Sequence, residues 1–204
     1  MNNWWSNGIV YHLYIKSFWD SNQNGIGDIN GVTEKLDYLK DLGVDAVWLS
    51  PFFKSPMRDN GYDVKDYLNV NELFGSNEDL NQLFKEMKKR DLKIIIDLVL
   101  NHTSIEHEWF QKAISDPTGP YRDYYIFKDK NNINNARSLF GGSAWEAVDH
   151  NHYYYHTFAI EQADLKVVAR LDTKPTHQKV FDKADALHAA RSKELTSLWR
   201  LAAK

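Results

Sequence analysis

The first hundred residues alternate short apolar segments with amphipathic ones, and this order restricts the fold most. Segments 9–18 (IVYHLYIKSF), 44–50 (VDAVWLS) and 92–100 (LKIIIDLVL) are rich in the β-branched and aromatic residues typical of strands. Segments 32–42 and 76–91 place apolar residues at helical spacing. Because strands with continuous apolar runs are covered on both faces, the order strand–helix–strand–helix–strand predicts an α/β fold with a parallel sheet built from βαβ units.

The helix ends carry their own signals. Gly43 follows the first helix where a C-cap is expected, and Ser76 or Asn77 precedes acidic residues at the start of the second. Two architectures fit this order: a doubly wound open sheet and a (β/α) barrel. The open sheet predicts a glycine fingerprint after the first strand, and SFWDSNQNGIGD lacks the pattern G-x-G-x-x-G.

Asp97 interrupts the third apolar segment, and Asn101, His102 and Thr103 end it. A carboxylate among apolar neighbours is costly unless it has a partner. We therefore interpret Asp97 either as half of a structural ion pair or as a site residue at the strand's mouth. His102 is either a histidine with satisfied hydrogen bonds or a ligand-binding group, since ligands meet parallel strands at their carboxyl ends.

Two loops contain oxygen-rich side chains. The loop DSNQNGIGD alternates oxygen donors as a hard cation requires, but the twelfth position of an EF-hand would be Gly31 instead of Glu. It is either a cation site or a cluster of Asx turns. The loop DNGYD at 59–63 is either a surface turn or, with two carboxylates flanking a Tyr, a reader of sugar hydroxyls. Histidines lack metal-ligand spacing, so no catalytic zinc is predicted.

Composition excludes several classes of protein. A net charge of −3 gives no reason to expect a nucleic-acid partner, and the absence of cysteine excludes disulfides and thiolate nucleophiles. Neither a signal peptide nor a long apolar run is visible, so we expect no membrane partner and a cytoplasmic location. Aromatic residues make up 14% of the chain, and flat rings pack well against sugar faces.

The pattern loosens after the third strand. Residues 104–165 are aromatic and irregular, and they are too long for a simple connection. We predict three parts: the first three βα units at 1–103, an inserted small subdomain at 104–165, and a divergent helical tail at 166–204. The tail helix is a candidate cover for an open edge of the sheet.

Several stretches together resemble the N-terminal part of the α-amylase family of glycoside hydrolases, and most closely its α-glucosidase and oligo-1,6-glucosidase branch. They run in family order over residues 4–165. They are WWSNGIVYHLYIKSFWDSNQNGIGDINGVTEKLDYLKDLGVDAVWLSPFFKSP, DNGYDVKDY, DLVLNHTSIEHEWF, YRDYYIF, FGGSAWE and FAIEQADL. The resemblance implies a (β/α)₈ barrel with a small domain inserted after strand three, of which this chain holds an incomplete part.

The resemblance also implies roles for individual residues. Asp97 shapes the site, His102 hydrogen-bonds the first sugar, Asp59 reads its non-reducing-end hydroxyls, and Tyr62 stacks under it. Phe158 and Gln162 form walls from the inserted domain. A structural Ca²⁺ or Mg²⁺, with no organic cofactor, is implied at a loop where Asn24 replaces a usual Asp. Its ligands would be Asp20, Asn22, Asn24, Ile26 (through its carbonyl) and Asp28.

Family members hydrolyse α-glucosidic bonds with retention, which needs two carboxyl groups about 5–5.5 Å apart. The segments that would carry the nucleophile and the third Asp, resembling GFR.D and NHD, do not occur here. We therefore assign no catalytic residue and expect a truncated α-glucosidase that binds a small α-gluco-oligosaccharide without turnover. A second chain that completes the barrel is an expected partner. The alternatives are a trehalose-6-phosphate hydrolase fragment and a non-catalytic sugar-binding or scaffold module.

Overall fold

A computed structural model describes residues 4–166 of the 204-residue chain, so the predicted helical tail lies outside the described residues from 167 on. The strands are β1 Val10–Leu13, β2 Ala46–Leu49, β3 Phe53–Lys54, β4 Asp66–Val70, β5 Lys93–Ile96, β6 His102–Ser104, β7 Phe127–Asp129, β8 Trp145–Ala147, β9 His152–Tyr155 and β10 Gln162–Asp164. The α-helices are α1 Ile15–Phe18, α2 Ile29–Glu34, α3 Leu36–Asp41, α4 Asn77–Lys89 and α5 Glu108–Ser115. Short 3₁₀ turns lie at Trp4–Ser6, Pro120–Tyr124 and Lys130–Asn132.

The described chain divides into two compact units. The first contains residues 4–54 and 67–98, and the second contains 55–66 and 99–166. The domain boundaries expected from the sequence, at residues 103 and 165, stay predictions.

A three-stranded parallel sheet organises the first unit, in the order β1-β2-β5, as the alternating pattern predicts. One face of the sheet is buried through side chains such as Leu13 and Leu49, and α2 packs against α4. The helices contribute further core residues, namely Val32, Leu36, Leu39, Leu83 and Met87. On the opposite face Val10 is 42% exposed and Trp48 is 38% exposed, so within the described residues this face is only partly covered.

The helix ends follow the sequence signals closely. Ser76 caps α4 with a capping box, in which its hydroxyl accepts from the Asp79 N–H and Asp79 accepts from the Ser76 N–H. Gly43 has φ +82°, the left-handed conformation expected after a helix. The single helix predicted over 32–42 is wrong in one respect, because the backbone leaves helical geometry at Lys35 (φ −97°, ψ 8°) and separates α2 from α3.

The strands are shorter than predicted. The first ends at Leu13, and the residues after it turn into the short helix α1. The third ends at Ile96, so Asp97 is the first residue after the strand instead of a residue in its middle. Its N–H donates to the Leu49 carbonyl at 3.3 Å. Residues His102–Ser104 are not the exit of that strand; they form β6, which pairs antiparallel with β10.

The second unit has its own core, although its sequence is irregular. Strands β7, β9 and β8 form an antiparallel sheet. Its buried cluster consists of Phe110, Ala113, Tyr125, Tyr154 and Ala163. The hydroxyl of Tyr125 lies 2.7 Å from Thr103 Oγ1, and burial raises the pKa of this tyrosine. No helix among residues 4–166 is both long enough and apolar enough to span a membrane.

Candidate functional site

A polar and aromatic cluster forms in the second unit where three chain segments meet. These are the loop at 59–63, strand β6, and the segment that leads into β10. Together they bring five of the six residues predicted to bind sugar into one compact unit, namely Asp59, Tyr62, His102, Phe158 and Gln162.

Asp59 and Gln162 are joined directly. Gln162 Nε2 donates to Asp59 Oδ2 at 2.6 Å, and Gln162 Oε1 accepts from the Ala159 N–H at 2.9 Å. Because the Gln162 side chain is fully buried and bonded at both ends, it fixes the carboxylate it touches. Among the described residues, Oδ1 of Asp59 has no hydrogen-bond partner. This oxygen is therefore available to accept from a ligand hydroxyl.

The second carboxylate of the loop has a different role from the one expected. Asp63 is fully buried, and its oxygens accept from Ser55 Oγ at 2.8 Å and from the N–H groups of Arg58 and Asp59 at 3.1 Å each. Asp63 therefore closes the loop on itself, and the expectation that both carboxylates read a sugar is wrong for this one. Asn60 has a positive φ of 51°, so its Asn-Gly dipeptide also forms the tight turn that the sequence suggested.

His102 lies at the centre of the cluster and is 4% exposed. Its Nε2 is 3.1 Å from the Tyr62 carbonyl oxygen, and its Nδ1 is 3.2 Å from Asn101 Nδ2. Burial lowers the pKa of His102 below its ordinary value and outweighs the opposing effect of nearby carboxylates, chiefly that of Asp164. The ring is thus a neutral group that holds the Tyr62 backbone in place.

Aromatic rings border the histidine. The ring centroids of Phe158 and His102 lie 5.5 Å apart in an edge-on arrangement. Those of Phe140 and Phe158 lie 5.8 Å apart. Phe140 is 65% exposed and was not singled out from the sequence. A loop with two successive positive-φ glycines, Gly141 and Gly142, follows it. These rings give the cluster the apolar surface that sugar faces require.

A second buried carboxylate in the cluster was missed by sequence reasoning. Asp164 is 4% exposed and accepts hydrogen bonds from the Thr157 N–H at 3.1 Å, from the Thr157 hydroxyl, and from Asn101 Nδ2 at 3.4 Å. Burial raises the pKa of Asp164, although the Thr157 bonds favour the ionised form. The only signal in the sequence was an acidic residue between apolar ones in QADL.

Ion pairs tie the 59–63 loop to the segments beside it. Arg58 lies 3.2 Å from Glu106 and 3.9 Å from Glu161, and Lys65 lies 3.0 Å from Glu106. These groups are partly exposed, so each pair adds little stability. Together they link the loop that carries Asp59 to both neighbouring segments.

The sixth predicted residue, Asp97, belongs to the first unit, where it follows β5 at the carboxyl end of the sheet. This is the edge at which parallel sheets meet their ligands. Its assigned part in shaping a sugar site stays a prediction.

The predicted metal loop forms a series of local turns. Backbone N–H groups reach the side-chain oxygens of Asp20 (from Gly25, 2.7 Å), Asn22 (from Asn24, 3.1 Å) and Asn24 (from Ile26, 2.8 Å). Desolvation opposes the charge of Asp20, but the backbone N–H groups of Gly25, Asn24, Gln23 and Asn22 outweigh it and hold the pKa of its carboxyl below the ordinary value. The Asx-turn interpretation therefore holds, and the cation interpretation stays a prediction.

Asp28 is the most engaged of the five predicted metal ligands. It is 4% exposed, caps α2 through the Gly31 N–H at 2.6 Å, and accepts from the Ser21 hydroxyl at 2.8 Å. The other four predicted ligands, Asp20, Asn22, Asn24 and Ile26, would also bind a metal through oxygen. Oxygen is the ligand atom that Ca²⁺ and Mg²⁺ prefer. Within residues 4–166, no group of three or more His, Cys, Asp or Glu side chains is arranged to hold a metal.

Comparison with known proteins gives consistent matches. The family model described as alpha amylase, catalytic domain, matches residues 12–175. Glucan 1,6-alpha-glucosidase from Streptococcus pneumoniae is 49% identical over 180 residues, which are 88% of this chain and 32% of that enzyme. Trehalose-6-phosphate hydrolase from Bacillus subtilis is 51% identical over 167 residues, or 79% of this chain and 30% of the relative.

Solved structures agree with these matches. An isomaltulose synthase mutant from Erwinia rhapontici, crystallised with its natural substrate sucrose, superposes with a TM-score of 0.79 at 48% identity, covering 82% of this chain and 31% of that one. Trehalose-6-phosphate hydrolase from Bacillus licheniformis gives 0.77 at 48% identity, with 80% and 30% coverage. The chain thus spans about a third of the length of the relatives it matches.

Proposed function

The chain belongs to the α-amylase family of glycoside hydrolases, and we propose that it provides the glucose-recognition part of an α-glucosidase-type site. The ligand class is a short oligosaccharide with α-1,4 or α-1,6 linkages, held by its non-reducing-end sugar. Relatives named glucan 1,6-alpha-glucosidase and oligo-1,6-glucosidase support this choice, at 49% and 48% identity.

The observation that carries the proposal is the Gln162–Asp59 hydrogen bond beside a wall of aromatic rings. A carboxylate fixed by one oxygen can accept from a sugar hydroxyl through the other. The Phe158 and Phe140 rings offer an apolar surface on which a pyranose face packs, and we assign the Tyr62 ring the same role. A fixed acceptor next to a flat apolar wall is the arrangement that sugar recognition requires.

The same geometry bears on turnover. Retaining hydrolysis needs a free nucleophilic carboxylate and a carboxylic acid on opposite sides of the glycosidic bond. In the cluster, Asp63 and Asp164 are both buried and both accept hydrogen bonds from the protein. Neither is available to attack or protonate a sugar, and Asp59 alone cannot supply both the nucleophile and the acid. We propose that the 204-residue chain binds sugar without hydrolysing it by itself.

Calorimetric titration of the chain with maltose and isomaltose tests this proposal. We expect saturable binding, a loss of at least tenfold in affinity for Asp59→Asn, and unchanged affinity for Asp123→Asn, which neutralises an exposed carboxylate in the same unit. Hydrolysis of p-nitrophenyl α-glucoside by pure chain would contradict the binding-only role. No binding of any glucoside would instead favour a non-catalytic scaffold.

A second candidate function is recognition of trehalose 6-phosphate. Its support is the identity to trehalose-6-phosphate hydrolases, 51% for the Bacillus subtilis enzyme and 48% for that of Escherichia coli. Titration with trehalose 6-phosphate beside maltose separates the two. Affinity at least tenfold higher for the phosphorylated disaccharide would favour this candidate over the oligosaccharide.

The proposal includes two further ligands. A Ca²⁺ or Mg²⁺ ion would be held by the loop oxygens of Asp20, Asn22, Asn24, Ile26 and Asp28 and would stiffen the turn before α2. A second polypeptide that supplies further strands would cover the exposed face of the parallel sheet, where Val10 and Trp48 meet solvent. Parallel sheets are normally covered on both faces, which is the reason for proposing such a partner.

A further inference from the structure

The hydrogen bonds around His102 determine which of its ring nitrogens carries the proton. A carbonyl oxygen only accepts, so the contact between Nε2 and the Tyr62 carbonyl at 3.1 Å requires a proton on Nε2. An amide NH₂ only donates, so the contact between Nδ1 and Asn101 Nδ2 at 3.2 Å requires a lone pair on Nδ1. Both contacts are satisfied together by one form of the ring, the neutral Nε2–H tautomer.

This deduction depends on the orientation of the Asn101 amide, because its oxygen and nitrogen are close to isosteric. Asp164 settles that orientation. Its Oδ1 lies 3.4 Å from the same Asn101 nitrogen and accepts from the Thr157 N–H at 3.1 Å, so this oxygen acts as an acceptor. With the amide turned over, Asn101 would place its oxygen against the carboxylate. The NH₂ group therefore lies between Asp164 and His102.

Asp164 is itself held rigidly. Thr157 donates to it through both its N–H, at 3.1 Å, and its hydroxyl. The strand register places His102 directly opposite Asp164 in the β6–β10 pair, and the Leu165 N–H donates to the Asn101 carbonyl at 2.9 Å. The backbone and the side chains thus fix the same three residues in one arrangement.

We propose that Asp164 is a positioning residue for His102, and that it acts through the Asn101 amide to keep the ring in the neutral Nε2–H tautomer. This tautomer matters for Tyr62, because the Tyr62 carbonyl accepts the hydrogen bond from Nε2–H. In the Nδ1–H tautomer Nε2 would present a lone pair to that carbonyl, and the loop carrying Tyr62 and Asp59 would lose this hydrogen bond to β6. The consequence for sugar binding rests on the proposed function; the tautomer itself does not.

The direct test is long-range ¹H–¹⁵N correlation spectroscopy on the ¹⁵N-labelled 204-residue chain at neutral pH, with His102→Gln identifying the signals of this ring. We expect Nε2 to be protonated and Nδ1 to be unprotonated. A ring found mainly as the Nδ1–H tautomer or as imidazolium would overturn the proposal without any variant.

Variants then test the part played by Asp164. In Asp164→Asn either end of the new amide can face Asn101, so we expect the tautomer ratio of His102 to fall at least fivefold, and Asn101→Ala to have a similar effect. Thr157→Val loosens Asp164 without changing charge, and we expect a smaller change in the same direction. Asp123→Asn removes an exposed charge and should leave the ratio unchanged. An unchanged ratio in both Asp164→Asn and Thr157→Val would reduce Asp164 to a structural residue and overturn its assigned role.

Maltose titration of the same variants separates this inference from the proposed function. Weaker binding by Asp164→Asn together with the altered ratio supports both. A normal tautomer in a wild-type chain that binds no sugar leaves the inference standing and removes the proposed function. A wild-type chain that binds maltose but whose His102 is mainly the Nδ1–H tautomer would keep the proposed function and overturn this inference.

Discussion

Gln162 Nε2 donates to Asp59 Oδ2 at 2.6 Å and so joins two residues that are 103 positions apart in the chain. The amide is fully buried and is held at its other end by the Ala159 N–H. Asp59 is therefore fixed by a group that cannot move freely. This contact gives the candidate site its most direct test.

Gln162→Glu should weaken maltose binding by about tenfold to a hundredfold, since a hydrogen bond to a charged group is worth about 1.5–3 kcal/mol. The new carboxylate would face Asp59, and two adjacent carboxylates cannot both ionise easily. Calorimetric titration measures the loss. Gln82→Glu adds the same charge on the exposed surface of α4 and should bind as the wild type does. Equal affinities for all three proteins would remove Gln162 and Asp59 from the site.

Asp63→Ala should lower the free energy of unfolding by about 2–3 kcal/mol, because the N–H groups of Arg58 and Asp59 and the Ser55 hydroxyl lose their shared acceptor. Urea denaturation measures this change. Asp123→Ala removes an exposed carboxylate that pairs with Lys166 at the surface. It should cost less than about 1 kcal/mol. A similar cost for both variants would contradict the loop-closing role of Asp63.

The depressed pKa of His102 predicts a loss of stability in acid. Below the ordinary histidine pKa, His102 is protonated in the unfolded chain but stays neutral in the folded one. The free energy of unfolding therefore decreases as the pH falls from 7.5 to 5.5. His102→Gln lacks this term, and its free energy of unfolding should fall less over the same range. Parallel urea titrations at the two pH values measure the difference.

Asp164 changes the free energy of unfolding in the opposite direction as the pH falls. It is present in both the wild type and His102→Gln. Its raised pKa means that the buried carboxylate costs stability at neutral pH, and this cost is relieved as the pH falls through the folded-state pKa. Since His102 and Asp164 shift each other's pKa, the difference between wild type and His102→Gln reports the histidine together with its coupling to Asp164. Identical pH dependence in the two proteins would show that His102 titrates normally in the folded chain.

Millimolar Ca²⁺ should raise the melting temperature of the chain if the loop at 20–28 binds it, because a ligand at a hundred times its Kd stabilises the folded state by about 2.7 kcal/mol. Asp20→Asn removes the half-buried carboxylate at the start of the loop and should abolish the shift. Thermal unfolding with CaCl₂, MgCl₂ and EDTA measures the effect. A shift of the same size in Asp20→Asn would place the ion elsewhere.

The sequence alone determined the local order of the first unit. Apolar runs and helical spacing predicted the parallel strands β1, β2 and β5 with helices between them, and the sheet confirms this. Gly43 and Ser76 marked the helix ends correctly. These features depend on neighbours within a few residues, where periodicity and capping chemistry are decided.

Tertiary structure decided everything that depends on distant partners. No local pattern distinguishes Asp59, which accepts a hydrogen bond from the distant Gln162, from Asp63, whose two oxygens accept from its own loop. Nor does any pattern show that Asp164 and Asn101 determine the proton position on His102. A hydrogen bond depends on the distance and direction between two atoms, and for residues far apart in the chain only the folded backbone sets both.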